Sequence, residues 1–139
     1  MEKYTLEKDI KVFCVEADSF PQGIPASWQK LHTLLQGSRQ HTYFGISGCN
    51  AGGKIFYKAA AAETYPGETE KMGGDSFTIV KGTYQSELIK DYAADVTIIG
   101  RTFQQLLKSP DLEADSICVE IYEGENDVRC LVKMETIVA

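Results

Sequence analysis

Histidine and tryptophan are scarce in this chain: two of the first and one of the second in 139 residues. His32 and His41 stand alone, with no Ser, Cys or Asp at a recognisable triad spacing, so triad-type nucleophilic catalysis has no constellation to work with. There are four cysteines and no Cys-x-x-Cys pair. Cys14, Cys118 and Cys130 sit in apolar, strand-like runs where cysteine behaves as a small hydrophobe, so reduced thiols are expected, with no metal and no cofactor. Basic runs are missing too. With 20 acidic against 14 basic residues and a net charge of -6, the chain repels a phosphate backbone, which argues against direct nucleic-acid binding. No apolar run nears membrane-spanning length, and the opening Met1 to Asp9 is polar and mixed in charge, unlike a secretory signal. A cytoplasmic protein without a membrane partner is expected.

The composition, 43% hydrophobic and 24% charged, is that of a globular chain, and its length suits one domain over residues 1–139. Lys11 to Ala17 reads as a strand. A helix follows, with Pro25 suited to its first turn, Ile24, Trp28, Leu31 and Leu35 on one face, and Gly37 to close it. Trp28 therefore reads as core. Thr42 to Ser47 and Lys54 to about Ala62 read as a hairpin.

The order strand, helix, strand, strand then recurs. Ser76 to Lys81 is a strand, Asp95 to Lys108 a helix with Asp95 as N-cap, and Ile117 to Tyr122 with Val128 to Ile137 a hairpin. Shifting the chain by 75 positions pairs Ile24 with Ile99, Trp28 with Phe103, Leu31 with Leu106 and Ile46 with Ile121, which marks pseudo-repeats of about 8–63 and 75–138. Residues 64–75, with Pro66, Gly67 and Gly73, read as a linker. Residues 82–94 read as an extended connection in which Leu88, Ile89 and Tyr92 form a short helix. The fold class expected is α+β: two such units joined in one curved antiparallel sheet, both helices on one face and a ligand groove on the other.

Gly48 to Lys54 spells Gly-x-x-x-x-Gly-Lys, but Ile55 and strand-like Phe56 and Tyr57 follow in place of Ser or Thr and a helix, so this stretch reads as a hairpin turn and not a phosphate loop.

The stretch from Ser116 to Glu123 alternates, with Ile117, Val119 and Ile121 on one face and Cys118, Glu120 and Tyr122 on the other. A carboxylate between a thiol and a phenol in mid-strand is either solvated surface or the wall of a concavity that receives a positive charge. The repeat counterpart of Glu120 is Gly45, which leaves room on the other wall. Tyr43, Tyr57, Tyr84 and Tyr122 are candidates to stack on a ligand, and Cys118 shares the Glu120 face.

Three segments, Cys118-Val119-Glu120-Ile121-Tyr122, Phe77-Thr78-Ile79-Val80-Lys81-Gly82-Thr83-Tyr84 and Tyr43-Phe44-Gly45-Ile46, make nearly the whole chain resemble the GyrI-like small-molecule-binding domains, which also serve as effector-binding domains of AraC-type and MerR-type regulators. The resemblance implies a duplicated strand-helix-strand-strand (SHS2) fold and an aromatic groove whose acid recognises cationic, amphipathic compounds, as in multidrug binding. Glu120 matches that acid, and Tyr122 and Tyr84 match family tyrosines. The implied role is that of a stand-alone effector-binding domain in transcription regulation or in drug or toxin sensing. Its partner would be a small organic cation, or a protein such as a separate DNA-binding subunit or DNA gyrase. An enzyme on the same fold, hydrolysing a reactive compound through Glu120 and an aromatic partner, is the alternative.

Overall fold

A computed structural model describes residues 1–36, 40–49, 53–73, 75–114 and 116–135. In chain order the elements are β1 (Glu2–Leu6), β2 (Ile10–Glu16), α1 (Ile24–Leu34), β3 (Tyr43–Cys49), β4 (Ile55–Ala62), α2 (Glu68–Met72), β5 (Asp75–Ile79), β6 (Gly82–Ile89), a 3-10 turn (Tyr92–Ala94), α3 (Thr97–Leu106), β7 (Cys118–Glu123) and β8 (Asp127–Lys133). Eight strands form one sheet in the order β1-β6-β8-β7-β3-β4-β2-β5, every pair antiparallel.

Two strand-helix-strand-strand units are visible in that order. In each, the strand before the helix pairs with the last strand: β2 with β4 around α1, and β6 with β8 around α3. The units meet where β3 lies against β7, with Gly45 directly opposite Glu120. Each unit is also flanked by a strand from the other's side of the chain, since β1 pairs with β6 and β5 with β2. The fold class is therefore the α+β curved antiparallel sheet that the pattern implies.

Alternation along the strands produces two apolar faces. On one, Val12, Phe44, Ile46, Tyr84, Val119, Ile121 and Leu131 form a single buried cluster, with Tyr4 and Leu6 of β1 packed against it. Every strand contributes to this cluster and no helix does, so the sheet covers it by curling on itself. The other face carries the helices. Phe13, Tyr57, Ala59 and Ala61 receive Leu31 and Leu35 at the end of α1, and Val128, Cys130 and Val132 receive Phe103 and Leu106 of α3. Alanines 59–62, whose composition suits a helix, are held in β4 by strands on both sides; Ala59 and Ala61, on the helix face, present small side chains to α1, while Ala60 and Ala62 face the curled cluster.

Several expectations are corrected. The linker contains α2. The first strand of the second unit is β6, not Ser76 to Lys81: β5 pairs with β2 of the first unit, and Gly82–Ile89 of the stretch read as a connection extend between β1 and β8, so that of Leu88, Ile89 and Tyr92 only Tyr92 lies in a helical turn. The polar side chains of β6 hid it, although Ser86 is fully buried with its hydroxyl donating to the Glu2 carbonyl at 3.0 Å. β1 was hidden likewise by the polar N-terminal composition. Val96 is the N-cap of α3, but Asp95 beside it accepts the Thr97 backbone N–H at 3.1 Å and so satisfies one of the helix's first donors. Gly37, the hairpin tip at 50–52 and Ile137 lie outside the described residues, although Cys49 and Ile55 pair across that tip.

Because the curled face is packed without a helix, its side chains carry the sheet's closure. Ile46→Ala, at a fully buried central position, is expected to lower unfolding free energy by about 2–5 kcal/mol in urea denaturation, with little change in the denaturant slope.

Candidate functional site

α1 and α3 are each anchored over their own unit, which leaves the β3–β7 junction uncovered between them. A cavity of about 850 Å³ opens there. Its floor is Tyr43 and Ser47 of β3, Tyr57 of β4, and Glu120 and Tyr122 of β7; Trp28 and His32 face it from α1, Ile99 and Phe103 from α3, and Phe20 and Pro21 form part of the rim. Among the described residues, curling fills the opposite face, where the groove is expected, with the cluster around Ile46 and Val119, and the cavity lies on the helix side instead. Glu120 does project from the face opposite Val119 and Ile121, but that face is the helix-bearing one.

Glu120 is only 6% exposed and forms no ion pair among the described residues. Two phenols serve the same carboxylate oxygen: Tyr122 Oη donates to Oε1 in a short hydrogen bond, and Tyr57 Oη donates to it at 3.4 Å. Trp28 Nε1 in turn donates to Tyr57 Oη at 3.0 Å. Burial is the largest influence on the carboxyl and pushes its pKa up; the two phenol donors pull it partly back. Both Tyr57 and Tyr122 are raised by burial first and by the neighbouring Glu120 charge second, so both remain neutral donors.

The aromatic walls are in contact with one another. The Trp28 ring meets Tyr122 edge-on with centroids 5.3 Å apart, Tyr92 meets Tyr122 at 5.5 Å, and His32 lies 5.0 Å from Tyr43. Such a wall is apolar, rich in quadrupoles and negative toward its ring faces, and it surrounds the Glu120 carboxyl.

Gly45 suits this arrangement. An added β-carbon there would stand 2.7 Å from Glu120 Oε1 and nearer still to the Tyr57 hydroxyl, so any side chain opposite the acid must displace those two groups from their hydrogen bond.

Of the residues singled out in the sequence, the fold brings Glu120, Tyr122, Tyr57 and Tyr43 to one cavity. It does not bring Tyr84, which lies fully buried in the curled cluster with its hydroxyl donating to the Val80 carbonyl and its pKa raised by burial to about 12. The odd-even position of Tyr84 on β6 sends it to the curled face. Cys118 is on the Glu120 face but not on the cavity wall; burial raises its thiol to about 11. Trp28 belongs to the cavity rather than to the deep core. Phe20, Tyr92 and Phe103 were not foreseen there, and only the match of Phe103 to Trp28 in the 75-residue shift pointed to it. Among the described residues no group of three or more His, Cys, Asp or Glu could hold a metal ion, and no helix is long and apolar enough to cross a membrane.

No protein-family model matches this chain, and no curated protein matches it by sequence. Its fold does match solved structures. SAV2435 bound to tetraphenylphosphonium is similar with a TM-score of 0.73 at 11% identity, covering 96% of this chain and 93% of that one. The integron cassette protein VCH_CASS2 from the mobile metagenome of Vibrio cholerae has a TM-score of 0.69 at 13% identity, covering 96% and 95%. A Staphylococcus aureus protein named for a role in bacterial transcription regulation has a TM-score of 0.63 at 11% identity, covering 97% of each.

Two outcomes follow from this geometry. Gly45→Ala is expected to overpack the floor and to lower stability by about 1–3 kcal/mol in chemical denaturation. Because the folded state holds the Glu120 proton at pH values where the unfolded chain has released it, stability falls as pH rises from the ordinary glutamate range through the raised folded value, and the loss persists above it. Glu120→Gln is therefore expected to have a higher melting temperature than the wild type at pH 8, the gap closing toward pH 4; a gap independent of pH would refute this.

Proposed function

We propose that this protein binds a bulky, lipophilic organic cation between α1 and α3, with Glu120 as the counter-ion, and that it acts as a GyrI-like effector-binding domain. The observation that carries the reading is a buried carboxyl without a cationic partner among the described residues, set in an aromatic cavity large enough for a drug-sized ligand. A cation entering that space replaces the lost hydration of the carboxylate and gains about 0.5–2 kcal/mol from each well-placed ring. Shared fold with a protein seen bound to tetraphenylphosphonium supports the same class of ligand. The roles this reading suggests are drug or toxin sensing and effector binding for a separate DNA-binding subunit; no cofactor is needed.

A second reading draws on the Trp28–Tyr57–Glu120 contacts. A carboxyl held by phenols in an apolar cavity is also suited to activate water for hydrolysis of a reactive electrophile. Under that reading such a compound is turned over, and Glu120→Gln abolishes turnover while the protein stays folded.

Charge selectivity is the test. Tetraphenylphosphonium at about a hundred times its dissociation constant is expected to stabilise the fold by ~2.7 kcal/mol in thermal unfolding. Tetraphenylborate, of the same shape and opposite charge, is expected to do nothing, and Glu120→Gln is expected to bind the cation at least about tenfold more weakly in calorimetry. Equal response to cation and anion would overturn the proposal.

A further inference from the structure

Tyr57 stands at the centre of the site, and its hydroxyl has one proton to give and two lone pairs to receive. The indole of Trp28 is a donor only, and it occupies the α1 side of that oxygen at 3.0 Å. The phenol's own proton is thereby directed to the floor, where Glu120 Oε1 lies at 3.4 Å and where Tyr122, itself donating to that oxygen, is also within hydrogen-bonding reach. By either route the chain of donors ends on the carboxylate. A donor that already accepts a hydrogen bond is polarised into a better donor. The Trp28 ring also abuts Tyr122, so a single α1 side chain holds both phenols.

We propose that Trp28 is a positioning residue: through Tyr57 it holds the donors on Glu120, and so sets the charge of that carboxyl and the pH range in which a cation is bound. The second half of this statement rests on the cation-binding reading; the first does not. The other groups that face Glu120 are His32 of α1, Tyr43 of β3, Tyr92 of the 3-10 turn, Cys118 of β7 and Cys130, its direct partner on β8. Both thiols are pushed up by burial first and by the Glu120 charge second, to about 11 and about 12, so neither titrates alongside the carboxyl. Histidine is the side chain type that changes charge near neutrality, so measurements in a His32→Gln background keep that imidazole out of the titration.

The test reads the ligand-free chain first. Carboxyl carbon NMR follows the titration of Glu120 in wild type, Trp28→Phe, Tyr57→Phe and the double variant. Trp28→Phe keeps an aromatic ring on α1 but removes the N–H donor together with the second ring of the indole; its Glu120 midpoint is expected to rise, because a weakened donor no longer favours the anion. Tyr57→Phe is expected to raise the midpoint at least as far, and Trp28→Phe is expected to add nothing in that background. Tetraphenylphosphonium affinity at a fixed pH below the midpoint is expected to fall about tenfold in Tyr57→Phe and by a smaller factor in Trp28→Phe. An unmoved midpoint in Trp28→Phe, or an equal shift with and without Tyr57, would overturn the proposal: the indole would then be a wall and nothing more. If Trp28→Phe does not fold, Tyr57→Phe decides, since an unmoved midpoint there removes the relay at its centre. If no cation binds the wild type, the cation-binding reading fails while the midpoints still decide the relay.

Discussion

The cavity depends on one constraint, a carboxyl that the fold removes from water without an ion-pair partner among the described residues. Glu120 is held by two hydrogen bonds to a single oxygen, and those donors do not offset what burial does to its charge. A paired charge would have closed the site chemically. Without a cationic partner among the described residues, the carboxyl carries a desolvation cost that only its two phenol donors lessen.

The surrounding architecture follows from keeping that acid buried. Two units meet at β3 and β7, and there the helices, each centred on its own half, leave the sheet uncovered. Gly45 and Glu120 face each other across the junction, and a side chain at position 45 would push the carboxylate and the Tyr57 hydroxyl out of place. The repeated strand-helix-strand-strand order thus supplies a frame, and the unlike pair Gly45 and Glu120 places a single acid among the residues that line the cavity.

The two faces of the sheet divide the labour. The curled face is sealed by its own side chains and fixes the positions of β3 and β7, including through Ile46 and Val119, which pair with each other beside the Gly45–Glu120 step. The helix face holds the cavity. Its aromatic residues come from α1, the 3-10 turn, three central strands and α3, so the cavity wall is assembled from segments spread over almost the whole chain.

Local pattern alone determined α1, α3, the hairpin that follows each and the face of β7 on which Glu120 lies, since these depend on periodicities of a few residues. Strands β1 and β6 were illegible because their polar side chains are satisfied only by neighbours remote in sequence, as with Ser86 and the Glu2 carbonyl. Tertiary structure decided which face of the sheet is hollow: curling consumes the face without helices, a long-range packing outcome that no window of sequence encodes. It also separated Tyr84 from Tyr57 and brought Trp28 from the first unit to the acid of the second, because contact across a pseudo-symmetric junction is set by register and not by spacing along the chain.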